Sequence, residues 1–273
     1  MQILDWVCPG VDHGGVEAAE RNAIAFVRSG AFRKRVGSRE IAADPSSAIF
    51  FSRGEEYRVD HREGCGDRCL ILVVAREHLN EIAGRRDRGA RNCFSADRAT
   101  LSIRGALLVR RLVGIAAMGD PLEVEEVGLL LAGEAIAGSE RSEPYGWCGT
   151  EAARRREVER ARIAMAARLG ESLSLLEIAR ETAYSPWHLA RVFRDLTGRS
   201  LHQHRSRLRL LRALDLLGEG VSLSRIALQV GFSSHSHFTA AFRREFGAPP
   251  SRVLAALGAK EGRMGLDTAR RSG

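Results

Sequence analysis

The sequence predicts an α+β multidomain protein: a small β-barrel or β-sandwich module with a helical hairpin, followed by an all-α domain that contains two helix-turn-helix units. Three observations support this fold class. Short extended segments separated by Gly, Pro and Asp fill roughly the first 90 positions, as in sandwiches and barrels. Apolar residues then recur at three- and four-residue intervals, which indicates helices. Finally, one helical segment of the second half occurs twice.

Length and composition restrict the class of protein. A chain of 273 residues suggests two domains, and hydrophobic and charged fractions of 44% and 28% are typical of globular proteins. No apolar run approaches the ~18 residues of a membrane span, and the N-terminal sequence lacks the pattern of a signal peptide. Five cysteines, an odd number, do not indicate a disulfide framework. We therefore expect a cytoplasmic protein without membrane contact.

The excess positive charge is confined to the second half of the chain. Residues 1–150 contain 20 Lys+Arg and 22 Asp+Glu, whereas residues 151–273 contain 22 and 12, so the net charges are −2 and +10. A uniform bias toward arginine would not leave the first half slightly acidic. The asymmetry therefore favours a domain that binds a polyanion such as nucleic acid.

The domain organisation follows from the change in periodicity. We predict strands at Ser47–Phe51, Glu56–His61 and Arg68–Ala75, and hairpin helices at Leu101–Ala117 and Leu122–Ala137. The apolar stripes of the hairpin must pack on the β module or in a dimer interface. The charged segment that follows residue 150 is interpreted as a solvated helix face for most of its arginines. The predicted domains are a β module (1–92), a hairpin for dimerisation (93–138), a linker (139–150), the helical domain (151–257) and a disordered tail (258–273).

The repeat comprises residues Ile178–Gly198 and Ile226–Gly247. Equivalent positions lie 48 residues apart before the turn and 49 after it, so the second copy has one extra residue in its turn. Each copy predicts a helix, a tight turn and a second helix. In the first copy, Ser185 and Pro186 suit the helix start, and Gly198 suits the left-handed position after its end. A continuous helical pattern of residues 201–217 connects the copies and would span about 25 Å.

The second helix of each copy has one apolar side. In the first copy, Leu189 and Phe193 point inward at 100° per residue. Trp187, Arg191 and Arg194 point outward. An ordinary helical bundle would explain the apolar side equally well, but it would not predict the duplication, the positive charge or an outward Trp–Arg pair. The pattern therefore favours a DNA-binding unit whose second helix enters the major groove.

Several motifs of the helical domain occur together in one known family. They are LSLLEIARETAYSPWHLARVFRDLTGRSL, the linker-helix pattern Arg209-Leu210-x-x-Ala213-x-x-Leu216-Leu217, IALQVGF, and Phe238-x-x-x-Phe242-Arg243 followed by Gly247-x-x-Pro250. Residues 152–257, about 40% of the chain, therefore resemble the DNA-binding domain of the AraC/XylS family of bacterial transcription regulators. The resemblance implies a sequence-specific regulator that is not an enzyme and needs no cofactor. Its two recognition helices would read adjacent major-groove segments.

The resemblance also assigns roles to single residues. Bases would face Trp187, Ala190 and Arg191 in the first recognition helix and His235, Ser236 and Thr239 in the second, with Arg194 and Arg243 near phosphates. The chain departs from the family pattern at Ala240, where an arginine is common, so the second helix is expected to discriminate weakly. It also departs at His204 and Val253, where an aromatic residue is common. We expect His188 and His237 to pack or face solvent, and leave open whether His235 contacts a base.

The first half is weakly similar to the cupin-like sensor modules that precede this DNA-binding domain in many family members. The resemblance implies promoter DNA, a small-molecule effector and a second copy of the chain as partners, with RNA polymerase as a further one. Whether the output is activation or repression stays open.

An alternative function is metal or thiol sensing through His61, Cys65 and Cys69, whose side chains are soft donors suited to zinc or copper. A Gly-Cys-Gly-Asp turn that leads into a strand does not align these residues, so we favour cysteines buried as small apolar groups. His13, His61 and His78 lack the spacing of a two-histidine-plus-carboxylate site, and no catalytic residue is predicted.

Overall fold

The computed structural model describes residues 1–10, 15–62, 65–84, 93–116, 119–139 and 150–258. The described strands are β1 Gln2–Cys8, β2 Glu17–Ala18, β3 Ala23–Gly30, β4 Phe32–Val36, β5 Arg39–Ala43, β6 Ser47–Phe51, β7 Glu56–His61, β8 Asp67–Val73 and β9 Arg98–Thr100. The described helices are α1 Arg76–Ile82, α2 Ile103–Ile115, α3 Pro121–Ala137, α4 Thr150–Ala167, α5 Leu175–Arg180, α6 Pro186–Thr197, α7 Leu201–Leu216, α8 Leu223–Gln229, α9 His235–Phe246 and α10 Pro250–Gly258. The predicted fold class, with strands in the first half and an all-α second half, is confirmed.

The strands form two antiparallel sheets. The larger sheet has the order β1-β8-β3-β6-β9, and the smaller sheet has the order β2-β7-β4-β5. The predicted strands at Ser47–Phe51 and Glu56–His61 coincide with β6 and β7, and the third overlaps β8. These three elements were predictable because each lies between turn residues.

The larger sheet is buried on both faces. Along β3, Ala25 packs between the two sheets, whereas Phe26 packs toward the helices. Cys69 and Leu70 of β8 alternate in the same way. A strand that is covered on both faces carries a continuous apolar run, which explains why residues 69–75 do not alternate between apolar and polar.

The β module is a two-sheet sandwich, so the barrel alternative is wrong for the described residues. Strands β1 and β9 are the edges of the larger sheet, and closure would require edge strands to pair. Helices α2 and α3 instead cover the outer face of this sheet and bury its apolar residues. The sheet therefore completes its core without closing.

Helices α2 and α3 form the predicted hairpin. Asp120 caps α3, since its carboxylate accepts a hydrogen bond from the Leu122 N–H at 2.8 Å, and Pro121 occupies the first turn. Leu112 of α2 and Leu131 of α3 are fully buried in the core above the larger sheet. Of the two packing alternatives for the apolar stripes, the structure shows packing on the β module.

Helices α4–α10 form the second half, with helix-turn-helix units at α5–α6 and α8–α9. The predicted linker lies outside the described residues except for its two ends, and so does the predicted tail beyond residue 258. None of the described helices is long and apolar enough to cross a membrane.

Most arginines of α4 are exposed or half-exposed, as the sequence predicts, but other charged residues of this helix are buried. Arg155 and Arg156 are exposed, but Glu157, Glu159 and Arg162 are buried. The reason is that α4 packs against both the first helix-turn-helix unit and strand β5 of the smaller sheet. Two opposing neighbours cover faces that an isolated helix would expose.

Candidate nucleic-acid interface

The two helix-turn-helix units repeat one another in structure. Helix α8 begins 48 residues after α5, whereas α9 begins 49 residues after α6. The recognition helices α6 and α9 both contain 12 residues. Both end at a left-handed glycine, Gly198 with φ 69° and Gly247 with φ 74°, a conformation that favours glycine. The duplication and the extra residue in the second turn are therefore confirmed.

A serine caps the start of each recognition helix. The hydroxyl of Ser185 accepts a hydrogen bond from the His188 N–H at 3.4 Å, and Pro186 follows in the first turn. The hydroxyl of Ser234 accepts one from the His237 N–H at 3.2 Å. Because these caps set where each helix starts, they also set which side chains stand at its N-terminal end.

The apolar side of each recognition helix is anchored in a hydrophobic core. Leu189 and Phe193 of α6 are fully buried with residues of α4 and α7. Phe238 and Phe242 of α9 are fully buried in the core that also includes the hairpin and the larger sheet. The opposite side of each helix is thereby turned outward.

The outward side of α6, its free side, carries the two planar side chains of Trp187 and Arg191. Trp187 is 70% exposed, and the Arg191 side chain is 66% exposed. The Arg191 guanidinium lies 5.9 Å from the centroid of the Trp187 ring, a distance at which a cation is attracted to the ring face. Its Nε also lies 3.9 Å from the carboxylate of Asp195. Arg194 is exposed further along the helix.

The free side of α9 is a shallow, open concave surface. Its lining consists of His235, Ser236, Thr239, Ala240, Arg243 and Arg244. The Thr239 hydroxyl is buried and has no hydrogen-bond partner among the described residues. Such an unpaired buried hydroxyl is uncommon in folded proteins. Ala240 holds the position equivalent to Arg191, so α9 lacks a guanidinium there.

Three further residues flank these surfaces. Ala190 is half-buried and packs against the core of the first unit. The His188 ring lies edge-on to Tyr184, with centroids 4.4 Å apart, and the His237 ring lies edge-on to Phe232 at 5.4 Å. Each histidine thus packs on the aromatic residue of its own turn.

Helix α7 connects the units and holds the loop before α5. Arg209 donates hydrogen bonds to the carbonyls of Leu169 and Glu171, both at 3.1 Å, and Arg205 donates one to the carbonyl of Leu173 at 3.2 Å. Burial, with the nearby charge of Arg205, lowers the pKa of Arg209 to about 10, so this guanidinium stays charged at neutral pH. These arginines have structural partners within the domain.

A group of buried charges that no sequence pattern predicts lies between the two halves of the chain. The Asp44 carboxylate, which precedes β6, accepts a hydrogen bond from the Arg162 Nε at 2.8 Å. The His204 Nε2 lies 3.5 Å from the same carboxylate, and the His204 ring packs edge-on to Phe193 at 5.4 Å. Burial would raise the pKa of Asp44, but Arg162 and His204 outweigh it and hold this pKa well below its usual value. Burial lowers the pKa of His204.

Two glutamates in the middle of α4 make further buried contacts. The Glu159 carboxylate accepts hydrogen bonds from the Ala42 N–H at 2.6 Å and from Arg98 at 2.7 Å. Two residues earlier, the Glu157 carboxylate accepts a hydrogen bond from the Ala183 N–H in the turn of the first unit, at 2.8 Å. Helix α4 therefore binds the β module and the first helix-turn-helix unit through neighbouring residues.

Helix α7 makes the corresponding contacts for the second unit. Arg207 donates a hydrogen bond to the Leu101 carbonyl at 2.7 Å and pairs with Glu245 of α9. Asp215, near the end of α7, pairs with Arg28 of β3 at 2.7 Å. No periodic pattern in the sequence signals these pairs, because their members lie far apart in the chain.

The structure separates the candidate residues of the alternative sensing site. His61 and Cys69 both lie close to Asp67, whereas the Cys65 Sγ is 4.0 Å from the Ala167 carbonyl at the end of α4. Cys8 of β1, which has no signal in the sequence spacing, also lies close to His61 and Asp67. His61 therefore gathers with Cys8 and Asp67, and Cys65 does not belong to this group.

Comparisons with known proteins find a family model and several relatives for part of the chain. A family model described as a helix-turn-helix domain matches residues 178–256. The probable transcription factor PqrA of Proteus vulgaris is 39% identical over 83 residues, which are 30% of this chain and 68% of that protein. The regulatory protein SoxS of Salmonella typhimurium is 34% identical over 30% of this chain and 78% of its own. The right origin-binding protein of Escherichia coli is 37% identical, but the match spans only 29% of that protein.

Two solved structures are similar to part of the chain. An AraC-type transcriptional regulator from Chromobacterium violaceum has 30% sequence identity over 39% of this chain and 96% of its own, with a TM-score of 0.37. The DNA-binding domain of AdpA, solved in complex with a target DNA, has 28% identity over 40% of this chain and 95% of its own, with a TM-score of 0.34.

Two capped helix-turn-helix units on one connecting helix, each with a free side that carries arginine, define a double helix-turn-helix DNA-binding protein. The chain belongs to the AraC family of transcription regulators, as its similarity to PqrA and SoxS shows. It is a transcription regulator that binds double-stranded DNA.

Proposed function

We propose that the protein regulates transcription by placing α6 and α9 in adjacent major-groove segments of its operator, under the control of its N-terminal half. The observation that carries this proposal is the outward Trp187–Arg191 pair on the side of α6 opposite Leu189 and Phe193. An arginine at this position can hold a guanine by two hydrogen bonds, and a tryptophan ring can pack on a thymine methyl group or a sugar.

The second recognition helix contributes smaller polar groups. His235, Ser236 and Thr239, which line the concave surface of α9, face the bases in this proposal. Ala190 of the first helix offers an apolar contact. Arg194 and Arg243, which occupy equivalent exposed positions, neutralise phosphates.

Substitution of Arg191 by alanine tests the role in base recognition. We expect Arg191→Ala to weaken binding to an operator, selected by the full-length protein from a random duplex pool, by about 1–3 kcal/mol and to relax the preference at one base pair. The melting temperature should barely change, because the side chain is exposed and its described partners, Trp187 and Asp195, are exposed as well. A fall of many degrees with specificity intact would show that this side of α6 is packed and that the proposed orientation is wrong.

Arg194→Ala is the matched variant for a phosphate contact. We expect it to weaken binding to the operator and to a scrambled duplex about equally, and to reduce the salt slope of binding by about one. Fluorescence anisotropy on both duplexes at two salt concentrations separates the two variants. Selective loss of operator binding by Arg194→Ala would contradict the assignment.

Helices α4 and α7 provide the route by which the N-terminal half would control both recognition helices. Through α4, Glu159 binds the β module while Glu157 binds the turn before α6. Through α7, Arg207 binds the carbonyl of Leu101 and also Glu245 of α9. A shift of either helix relative to the sheets would change how the recognition helices are presented, so an effector that prefers one arrangement would change promoter occupancy.

The proposal extends to the bounds of the DNA-binding domain and to the partners of the protein. The DNA-binding domain comprises residues 151–257, and the N-terminal half binds a small-molecule effector and a second copy of the chain. RNA polymerase is a further partner, and the protein has no catalytic activity. The first test is an electrophoretic shift with DNA from upstream of the protein's own gene. Binding should survive excess random DNA, and loss under this competition would contradict sequence-specific regulation.

A further inference from the structure

A group of polar side chains is buried at one end of the β sandwich. Cys8 is the last residue of β1 and pairs with Asp67, the first residue of β8, in the larger sheet. Cys69 lies two residues further along β8 and so points to the same face as Asp67. His61 is the last residue of β7 in the smaller sheet. The group therefore contains residues from both sheets.

The donor atoms of three of these residues already lie close together. The ligand atoms of Cys8, His61 and Asp67 are all within 4.8 Å of one another. The His61 Nε2 is 2.5 Å from one carboxylate oxygen of Asp67, and the Cys69 thiol donates a hydrogen bond to the other at 3.0 Å. Zn²⁺ bonds of about 2.0–2.3 Å to nitrogen, oxygen and sulfur place tetrahedral ligands about 3.3–3.8 Å apart. Shifts on the order of 1 Å would therefore admit the ion.

The group is buried, and one ring nitrogen of His61 is unpaired. Cys8 is 5% exposed, Asp67 is 7% exposed, and the His61 side chain is 2% exposed. The Nδ1 atom of His61 is buried and has no hydrogen-bond partner among the described residues. Binding of an ion through Nε2, the nitrogen that faces Asp67, places the ring proton of His61 on Nδ1.

Close backbone packing holds the two strand ends in this arrangement. A side chain at Gly66 would meet the carbonyl oxygen of Cys8 at 2.2 Å. A side chain at Gly30, where φ is +74°, would meet the carbonyl oxygen of Gly66 at 1.9 Å. Only glycine permits these approaches. These close contacts hold Cys8 opposite Asp67, so the backbone fixes the positions of the donor atoms.

We propose that Cys8, His61 and Asp67 form a binding site for one Zn²⁺ ion. Binding displaces the thiol proton of Cys8 to solvent, and the thiolate and the Asp67 carboxylate then balance the two positive charges of the ion. The loaded group is therefore neutral, which a buried position favours. Imidazole, thiolate and carboxylate are all zinc ligands, and three protein ligands leave one open position.

Cys69 stays outside the ligand set and orients it. The ligand atoms that lie within 4.8 Å of one another are those of Cys8, His61 and Asp67, and the Cys69 thiol instead donates a hydrogen bond to Asp67 at 3.0 Å. Its hydrogen bond to Asp67 leaves the other carboxylate oxygen on the side of His61. Contacts of this kind orient metal ligands in many sites.

Cobalt binding by the reduced, tag-free full-length protein tests the proposal, because Co²⁺ reports its ligands in its absorption spectrum. We expect one equivalent to bind with tetrahedral bands and a thiolate-to-cobalt charge-transfer band, and Zn²⁺ to displace it. Zn²⁺ should also raise the melting temperature, since a ligand that binds the native state stabilises it. Cys8→Ser should abolish the charge-transfer band and the rise in melting temperature. His61→Gln, which keeps both thiols, should abolish the rise and weaken Co²⁺ binding at least tenfold.

Cys65→Ser is the matched control, because Cys65 is close in sequence but outside the group. Its cobalt spectrum and zinc response should equal those of the wild type. The proposal is overturned if the wild type shows neither the charge-transfer band nor a zinc-dependent rise in melting temperature. It is also overturned if Cys65→Ser loses both the charge-transfer band and the zinc-dependent rise in melting temperature. The same holds if Cys8→Ser and His61→Gln keep both properties. The wild-type measurement alone decides if a variant fails to fold.

Discussion

Replacing Asp44 by alanine should lower the free energy of unfolding of the full-length protein by about 3–5 kcal/mol. The Asp44 carboxylate is completely buried and accepts hydrogen bonds from Arg162 at 2.8 Å and from the N–H and hydroxyl of Ser46 at 2.9 and 2.6 Å. Its loss leaves the buried guanidinium of Arg162 without this anion. Breaking a buried pair on one side costs more than the pair contributes, because the remaining charge stays out of water. Urea denaturation measures the effect.

Asp120→Ala is a control of the same chemistry in an exposed position. Asp120 caps α3 at the surface, so its loss should cost about 1 kcal/mol. Similar losses of unfolding free energy in Asp44→Ala and Asp120→Ala would contradict the view that Asp44 and Arg162 form a buried connection between the β module and α4.

The contribution of Asp44 to the free energy of unfolding should also depend on pH. The folded pKa of Asp44 lies below the unfolded value of about 3.9, so the unfolded chain takes up this proton first as the pH falls. The contribution of Asp44 is therefore complete above about pH 5 and is lost as the pH falls through 3.9 toward the folded pKa. The difference in stability between wild type and Asp44→Ala should shrink across this range. A difference that stays constant down to pH 3 would show that the charge of Asp44 is not what stabilises the interface.

Phe242→Ala should also lower the free energy of unfolding by about 3–5 kcal/mol, through the cavity that it leaves. Phe242 is fully buried in α9, with ring centroids 5.6 Å from Phe238 and 4.4 Å from Phe246. Its core is continuous with Phe26 of the larger sheet and Leu112 of the hairpin. We therefore expect the variant to unfold in one cooperative transition, shifted as a whole, in both circular dichroism and tryptophan fluorescence.

Leu228→Ala is the matched control in the same unit. Leu228 is 66% exposed, so its truncation should change stability by less than about 0.5 kcal/mol. An early, separate transition of the second helix-turn-helix unit in Phe242→Ala would show that this unit does not depend on the core of the N-terminal half.

The recognition helices were predictable because their signals are local. Ser185, Pro186 and Gly198 define the ends of α6 through contacts within a few residues, and the structure has the helix at these bounds. The apolar side at Leu189 and Phe193 repeats with the helical period, so its burial and the outward direction of Arg191 followed. The roles of single residues toward DNA stay predictions.

The buried charges and the cysteine–histidine group were not predictable in the same way. Cys8 and Asp67 lie 59 positions apart, and only the antiparallel register of β1 and β8 places them opposite each other. The spacing of His61, Cys65 and Cys69 suggested a group that the fold does not form, because Cys65 lies in the connection before β8 and faces the end of α4. Register and loop path are decided by the packing of whole strands.

The sequence by itself determined the two helix-turn-helix units, their caps and their free sides, because caps and apolar periodicity act over a few residues. Only the tertiary structure decided which charged residues are buried and which partners they bind in the other half of the chain. Arg162 and Asp44 are 118 positions apart, and neither has a neighbour in sequence that marks it as a partner of the other. Their pairing depends on which surfaces meet, and surfaces meet where the apolar faces of sheets and helices exclude the most water.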